Sequence, residues 1–118
     1  MRIISGSFGG RRITPPSNLP VRPTTDMARE ALFNVLQSRV ELEGLHILDL
    51  FCGTGAVSYE FVSRGVQSVT AVEQNPRCAA FISKTSQQFN IENLKLIRTD
   101  VFRFLKKETG SFDIIFAD

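Results

Sequence analysis

Carboxylates and glycines follow three short apolar runs in the second half of the chain. The first group is the segment Asp49–Gly55, the second is Glu73 and the third is Asp100. Glycines let the backbone approach a ligand closely and open a helix whose first N–H groups are free. A carboxylate after the second run could accept hydrogen bonds from both hydroxyls of a ribose, and a carboxylate after the third run could accept one from an adenine amino group. The spacing therefore predicts a pocket for an adenosine-bearing molecule.

Two common phosphate-binding motifs do not fit the glycine loop. The run Gly53-Thr54-Gly55-Ala56-Val57-Ser58 lacks the third glycine of the dinucleotide fingerprint, and no Gly-Lys-Ser/Thr follows for a phosphate loop. A carboxylate at Asp49 is unfavourable beside a pyrophosphate and favourable beside an ammonium or a sulfonium. S-adenosylmethionine combines both cations with an adenosine, so this pattern favours it as the cofactor.

Strands and helices alternate from residue 46 onward and must position these residues. Apolar runs predict strands at 47–51, 69–72, 94–97 and 112–116. Helices are expected after Gly55, after Asn75, which Pro76 follows at the first helical position, and after Asp100. This order predicts an α/β fold with a parallel sheet and helices on both faces. In such folds ligands bind outside the carboxyl ends of the strands.

The N-terminal part of the chain differs in charge and in pattern. Residues 1–40 contain six Arg, no Lys and two acidic residues, a net charge of +4, whereas residues 41–118 carry −2. Arg grips phosphates and stacks on bases, which suggests a polyanion partner, although an ordinary solvated surface remains the alternative. A glycine-rich middle predicts a β-hairpin over 1–13, and four prolines predict an extended arm over 14–23. A helix is expected from Thr25 or Asp26 to about Val40.

Composition excludes several classes of protein. The chain has 118 residues, of which 42% are hydrophobic and 22% charged, and this is typical of one globular domain. No apolar run approaches the ~20 residues of a membrane span, and the first residues lack the apolar region of a secretory signal. Two cysteines, Cys52 and Cys78, are expected to pack in a reducing cytoplasm. No metal site is expected, because His46 has no partner at ligand spacing.

The motifs resemble those of a known enzyme family. The run Asp49-Leu50-Phe51-Cys52-Gly53-Thr54-Gly55 resembles the first motif of class I S-adenosylmethionine-dependent methyltransferases, and Val72-Glu73 and Asp100-Val101 resemble their second and third. The block Arg22-Pro23-Thr24-x-Asp26-x-x-Arg29-Glu30-x-Leu32-Phe33-Asn34-x-Leu36 is similar to the RsmD-type family. Members of that family methylate the exocyclic N2 of one guanine in small-subunit ribosomal RNA. The resemblance covers essentially the whole chain.

The resemblance implies a Rossmann-like methyltransferase fold in three parts. Residues 1–23 would form an RNA-contacting hairpin and arm, 24–45 a capping helix, and 46–118 the S-adenosylmethionine-binding half. The implied cofactor-binding residues are Thr24, Asp49, Phe51, Gly53, Gly55, Glu73, Gln74, Asp100 and Val101. The implied RNA-binding residues are Arg2, Phe8, Arg11, Arg12 and Arg22, with Phe8 near the hairpin tip as a stacking platform. The expected partner is ribosomal RNA, either within an assembling small subunit or as free RNA. The protein is expected to be a monomer and to bind no membrane.

Asp118 resembles the first residue of the catalytic Asp-Pro-Pro-Tyr/Phe motif of this family. The run Phe112–Ala117 matches the segment before that motif, whereas the prolines, the aromatic residue and strands five to seven are not in the sequence. We therefore expect a fold truncated after strand four, inactive alone, with Ile114 and Phe116 exposed on a bare edge. Two other functions fit less well: an adenine-N6 methyltransferase, which usually has Asn at the position of Asp118, and a non-catalytic RNA-binding or assembly module.

Overall fold

The computed structural model describes residues 1–21, 24–108 and 110–118 of the chain. The helices and strands in these ranges are, in order, α1 (Asp26–Arg39), β1 (His46–Leu50), α2 (Ala56–Ser63), β2 (Ser68–Val72), α3 (Pro76–Gln88), β3 (Leu94–Ile97), α4 (Val101–Lys107) and β4 (Ile114–Ala117). The predicted alternation is confirmed, and strand boundaries differ from the predicted ones by no more than two residues. No helix in these ranges combines the length and the apolar character that crossing a bilayer requires.

The strands form one parallel sheet in the order β3-β2-β1-β4. β1 lies inside the sheet, where Leu50 aligns with Val72 of β2 and with Ala117 of β4. Val72 in turn aligns with Ile97 of β3. The carboxyl ends of all four strands therefore meet at one edge. The residues that follow them, including the predicted ligand-binding residues, are brought to that edge by this register.

Helices cover both faces of the sheet, as predicted. On one face, α1 and α2 pack through Phe33 and Phe61, whose rings meet edge to face at 4.7 Å, against Ile47 and Val69. The first turn of α1 is capped by Thr25, whose hydroxyl accepts from the N–H of Ala28. On the other face, α4 packs against the sheet in a cluster of Leu48, Leu50, Val72, Val101 and Phe104. The fold is therefore an α/β fold with helices on both faces.

The prediction for strand β4 is wrong in one respect. Ile114 and Phe116 are not the exposed residues, since both are partly buried against the cluster formed by α1 and α2. Ile115 points to the opposite face and is 60% exposed. Side chains alternate across a strand, so the residues that are covered depend on which face carries more helices. Sequence alternation alone does not identify that face.

The N-terminal residues reverse direction as predicted, although they form a single antiparallel bridge rather than two regular strands. Arg2 pairs with Arg12, and the N–H of Ile3 donates to the carbonyl of Arg11 at 3.0 Å. The side chains of Ile3 and Ile13 are buried, only 2% and 4% exposed. Gly6 has a φ of +87°, and a Cβ at this position would lie 1.9 Å from the Ser63 carbonyl oxygen. This close approach to α2 requires a glycine.

Candidate active site

Two cavities at the carboxyl edge of the sheet share one lining residue, Phe51. The first has a volume of about 230 Å³, and its lining includes Thr24, Asp49, Phe51, Gly53 and Asp118. The second has a volume of about 280 Å³, and its lining includes Phe51, Glu73, Gln74, Asp100 and Val101. The predicted residues thus line two adjoining cavities. Gly55 belongs to the same loop without lining either one.

The loop between β1 and α2 is shaped by a series of left-handed backbone conformations. Phe51, Gly53 and Gly55 have φ angles of +57°, +56° and +86°. A positive φ is uncommon for a residue with a side chain, and such residues cluster at functional sites. At Gly55, a Cβ would lie 2.7 Å from Cζ of Tyr59, a fully buried ring beneath the loop. Tyr59 therefore leaves room only for glycine there.

Asp49 carries a buried carboxyl group with little compensation. Its side chain is 1% exposed, and Oδ2 accepts one hydrogen bond, from the hydroxyl of Ser58 at 2.6 Å. Burial raises the pKa of Asp49 to about 7, and the charges of Asp118 and Glu73 add to this rise against the opposing Ser58 hydrogen bond. Within the described residues, no Lys, Arg or His approaches this carboxyl within 4.0 Å. A cationic ligand in the first cavity would relieve this unfavourable charge.

Glu73 links the glycine loop to the end of β2. Its Oε1 accepts from the N–H of Gly53 at 2.8 Å, and its Oε2 accepts from the N–H of Asn75 at 3.0 Å. Each carboxylate oxygen has a second lone pair, so both oxygens can still accept from a ligand hydroxyl. The structure therefore gives Glu73 a loop-fixing role that is compatible with ribose binding.

Asp100 likewise combines a structural hydrogen bond with a position in the wall of a cavity. It is the N-cap of α4, because Oδ1 accepts from the N–H of Arg103 at 3.0 Å. The same residue lines the second cavity together with Val101 and Phe102. The ring of Phe102 is 66% exposed and meets Phe51 edge to face, with ring centroids 6.2 Å apart. Sequence reasoning missed Phe102 because an exposed aromatic on a helix has no distinctive spacing.

The two aspartates of the last strand lie at its opposite ends. Asp118 follows β4 and lines the first cavity with Asp49. Asp113 precedes β4, where its Oδ2 accepts from the N–H of His46 at 2.7 Å and its own N–H donates to the His46 carbonyl at 2.8 Å. Asp113 therefore aligns β4 with β1, as expected for a structural residue.

Cys52 lines the first cavity, but its thiol is not prepared for nucleophilic attack. Burial raises the pKa of Cys52 well above its ordinary value, and the negative charges of Asp49 and Glu73 raise it further. A nucleophilic cysteine needs the opposite shift. Within the described ranges, no group of three or more His, Cys, Asp or Glu side chains is arranged to hold a metal ion.

The N-terminal residues predicted to contact RNA are placed in three different ways. Phe8 lies in the turn of the hairpin, as expected, and its ring stacks on Phe89 at 5.8 Å and is partly buried. The Arg11 guanidinium lies over the same Phe89 ring at 4.1 Å. Arg2 and Arg12 are exposed. Arg22 lies outside the described residues.

Glu60 on α2 is a structural centre that sequence reasoning missed. Its carboxylate is fully buried and accepts from the N–H groups of Ile4 and Ser5, and from the guanidinium groups of Arg29 and Arg64. Arg29, itself 1% exposed, also donates to carbonyl groups of Arg2 and Thr24 and to Asp26. These contacts fasten the N-terminal residues and α1 to the helix that begins at the glycine loop. A glutamate between two aromatic residues, Tyr59 and Phe61, in a helix without other charged residues is the local signal that could have pointed to it.

Comparison with known proteins supports one family. All of residues 1–118 match the family model described as Conserved hypothetical protein 95. The protein named Ribosomal RNA small subunit methyltransferase D from Buchnera aphidicola subsp. Baizongia pistaciae is 38% identical over 118 residues, which cover 100% of this chain and 60% of that protein. Its namesake in Escherichia coli strain K12 is 30% identical over 118 residues, covering 100% and 59%.

A solved structure shows the same fold. A hypothetical protein of Thermus thermophilus superposes with a TM-score of 0.87 at 27% identity, covering 99% of this chain and 67% of that one. The chain spans about 60% of the length of the curated relatives. The fold is the Rossmann-like fold of class I methyltransferases, with four strands among the described residues. Because the family model covers every residue, the chain belongs to the Conserved hypothetical protein 95 family, and the resemblance to RsmD-type methyltransferases is confirmed.

Proposed function

We propose that the protein transfers a methyl group from S-adenosylmethionine to the exocyclic N2 of a guanine in small-subunit ribosomal RNA. The names of the relatives support ribosomal RNA as the substrate class. The observation that carries the proposal is the buried Asp49 carboxyl group, which faces the negative charges of Asp118 and Glu73 and has no neighbouring cation among the described residues. Such a group fits a cationic ligand.

The two cavities match the two ends of S-adenosylmethionine in chemistry. The first, with Asp49 and Asp118, would receive the cationic methionine end. The second, with Glu73 and Asp100, would receive the adenosine, whose ribose hydroxyls and adenine amino group are hydrogen-bond donors. Phe51 borders both cavities and offers a ring against which the nucleoside can pack.

The bound cofactor supplies an electrophilic methyl group on a sulfonium, whose leaving thioether is neutral and needs no acid. The amine of guanine is a poor nucleophile, since its lone pair is delocalised into the ring. The protein therefore contributes mainly position and a hydrogen-bond acceptor for the amine, which loses one proton as it gains the methyl group. Asp118, on the wall of the first cavity, is the acceptor that we assign to this role. A base in folded RNA must also be unstacked, which costs a few kcal/mol.

Calorimetric titration with S-adenosylmethionine tests cofactor binding. We expect the wild type to bind and Asp49→Asn to lose most of its affinity. Asp113→Asn is the matched control, because it makes the same chemical change at the amino end of the neighbouring strand β4, outside both cavities, and should bind like the wild type. A wild-type protein that does not bind S-adenosylmethionine contradicts the proposal.

Analysis of the methylated product tests the position of transfer. After incubation with S-adenosylmethionine, unmethylated small-subunit ribosomal RNA is digested to nucleosides and analysed by mass spectrometry. In a protein that continues through the Asp-Pro-Pro-Tyr/Phe motif, we expect N2-methylguanosine, and we expect Asp118→Ala to abolish it while S-adenosylmethionine still binds. N6-methyladenosine as the product would contradict guanine specificity and favour the adenine methyltransferase hypothesis.

A further inference from the structure

A groove separate from the two cofactor cavities runs between the N-terminal arm and helix α3. We call it the α3 groove; it has a volume of about 680 Å³, and Arg12, Asn18, Arg77, Phe81, Lys84 and Gln88 are among its lining residues. None of its lining residues lines either cofactor cavity. The two sites are nevertheless close along the chain: α3 begins directly after Asn75, whose N–H binds Glu73.

The charged residues that line the α3 groove are all cations. Its charged lining residues are Arg12, Arg77 and Lys84, and no described Asp or Glu lines it. All three side chains are exposed, and within the described part of the chain none has a carboxylate within 4.0 Å. Three unneutralised cations around one concave surface create a positive potential that attracts an extended polyanion.

The α3 side of the groove is a regular stripe. Arg77, Phe81, Lys84 and Gln88 are spaced by four, three and four residues, which places them on one face of the helix. Arg77 and Lys84 are therefore separated by about 10 Å along the helix axis. The half-buried ring of Phe81 lies between them. Cations with an aromatic surface between them are the combination that binds single-stranded nucleic acid, because the cations follow the backbone and the ring accepts a base.

We propose that the α3 groove binds the backbone of a single-stranded RNA segment adjoining the nucleotide that enters the cofactor site. This inference rests on the proposed function for its substrate, and it adds α3 to the RNA-binding surface. Arg77 and Lys84 contact phosphates from the helix side, and Arg12 contacts them from the hairpin. Asn18 and Gln88 offer amide groups to sugar hydroxyls or base edges.

Fluorescence anisotropy with a labelled single-stranded RNA of about 20 nucleotides tests the groove, measured between about 50 and 200 mM KCl. We expect Arg77→Gln/Lys84→Gln to raise the Kd about tenfold or more and to reduce the slope of log K against log salt by about 1.4, or 0.7 per lost phosphate contact. The charge-matched control is Arg39→Gln/Lys106→Gln, two exposed cations outside the groove. The control should keep the wild-type Kd and slope.

The same variants separate this inference from the proposed function. If the groove variant binds S-adenosylmethionine like the wild type and also keeps the wild-type RNA affinity and salt slope, the inference is overturned while the proposed function stands. If RNA binding falls as expected in a protein that does not bind S-adenosylmethionine, the groove stands and the proposed function fails. A poly-glutamate peptide that binds the wild type more tightly than the RNA overturns the inference in favour of an acidic protein partner.

Discussion

Two carboxyl groups in this protein are equally buried and are treated in opposite ways by their surroundings. Asp49 at the glycine loop and Glu60 on α2 are 1% and 0% exposed. Glu60 accepts hydrogen bonds from two backbone N–H groups and two arginines. Asp49 accepts one from a serine hydroxyl and faces two further carboxylates. A buried charge is neutralised where it joins elements of the fold, and it is left uncompensated at the cavity where we propose that a cationic ligand binds.

Removal of Glu60 is the change with the largest expected effect on stability. Glu60→Ala removes the carboxylate that pairs with the guanidinium groups of Arg29 and Arg64. Breaking a buried ion pair by removing one partner costs about 3–5 kcal/mol. Urea denaturation measures the loss in the free energy of unfolding. The control is Glu30→Ala, an exposed glutamate on α1, which should change stability by less than about 0.5 kcal/mol. Similar losses for both variants would remove the distinction between Glu60 and an ordinary surface acid.

The pH dependence of stability should show that the charge of Asp49, unlike that of Glu60, is not compensated by its surroundings. The native pKa of about 7 exceeds the reference value of 3.8, so between these values the native state holds a proton that the unfolded state has lost. The contribution of Asp49 to the free energy of unfolding therefore falls as pH rises through this window, by about 1.4 kcal/mol per pH unit. Above pH 7 the loss is complete.

The test is to compare wild type and Asp49→Asn by urea denaturation from pH 4 to pH 8. The asparagine variant lacks this titration, so its stability relative to the wild type should increase with pH. Parallel stability curves for the two proteins would show that Asp49 is compensated after all. In that case the comparison with Glu60 would no longer hold.

Gly55 offers a sharper test of how the loop beside Asp49 is built. Gly55 and Gly65 both have positive φ angles, +86° and +94°, but a Cβ meets Tyr59 only at Gly55 and has open space at Gly65. Gly65→Ala should cost the backbone strain alone, about 1–2 kcal/mol. Gly55→Ala should cost more and should also weaken S-adenosylmethionine binding. Thermal denaturation and calorimetry measure the two effects, and equal losses of stability would mean that Tyr59 yields without cost.

The smallest expected effect is at Ser58, the donor to Asp49. Ser58→Ala removes a hydrogen bond that lowers the pKa of Asp49, so this pKa should rise further. Stability at neutral pH should fall by about 1 kcal/mol. Because a cationic ligand prefers the ionised carboxylate, the increase of S-adenosylmethionine affinity with pH should move to higher pH. Ser38→Ala, an exposed serine on α1, serves as the control, and identical pH profiles for the two variants would contradict this role of Ser58.

The elements that sequence reasoning located correctly are those with local signals. Asn75 is the N-cap of α3, with Pro76 as the first helical residue, and Asp100 is the N-cap of α4, as their residue types indicate. The positions of the carboxylates at the strand ends followed from the same local pattern. The cavity-lining role of Phe102 could not be predicted from a local pattern, because it depends on how α4 is oriented toward the glycine loop.

The features that could not be predicted depend on contacts between distant residues. Glu60 meets its backbone donors 55 and 56 residues away, and nothing near Glu60 in the sequence encodes them. The packing of Phe8 could not be predicted either, because its partner Phe89 lies in another element. The exposure of Ile115 likewise depends on which face of β4 is covered by distant residues.

The attachment of the N-terminal residues to α2 also has a consequence for the order of folding. Ile4, Ser5 and Phe8 are synthesised first, but the side chains that bind their N–H groups, Glu60 and Ser63, follow 55 or 56 residues later. Contacts that close such long loops carry a high entropic cost and form late. The hairpin that carries Arg12 should therefore reach its native position only after α2 has formed, and hydrogen exchange during refolding should show its amides protected after those of α2.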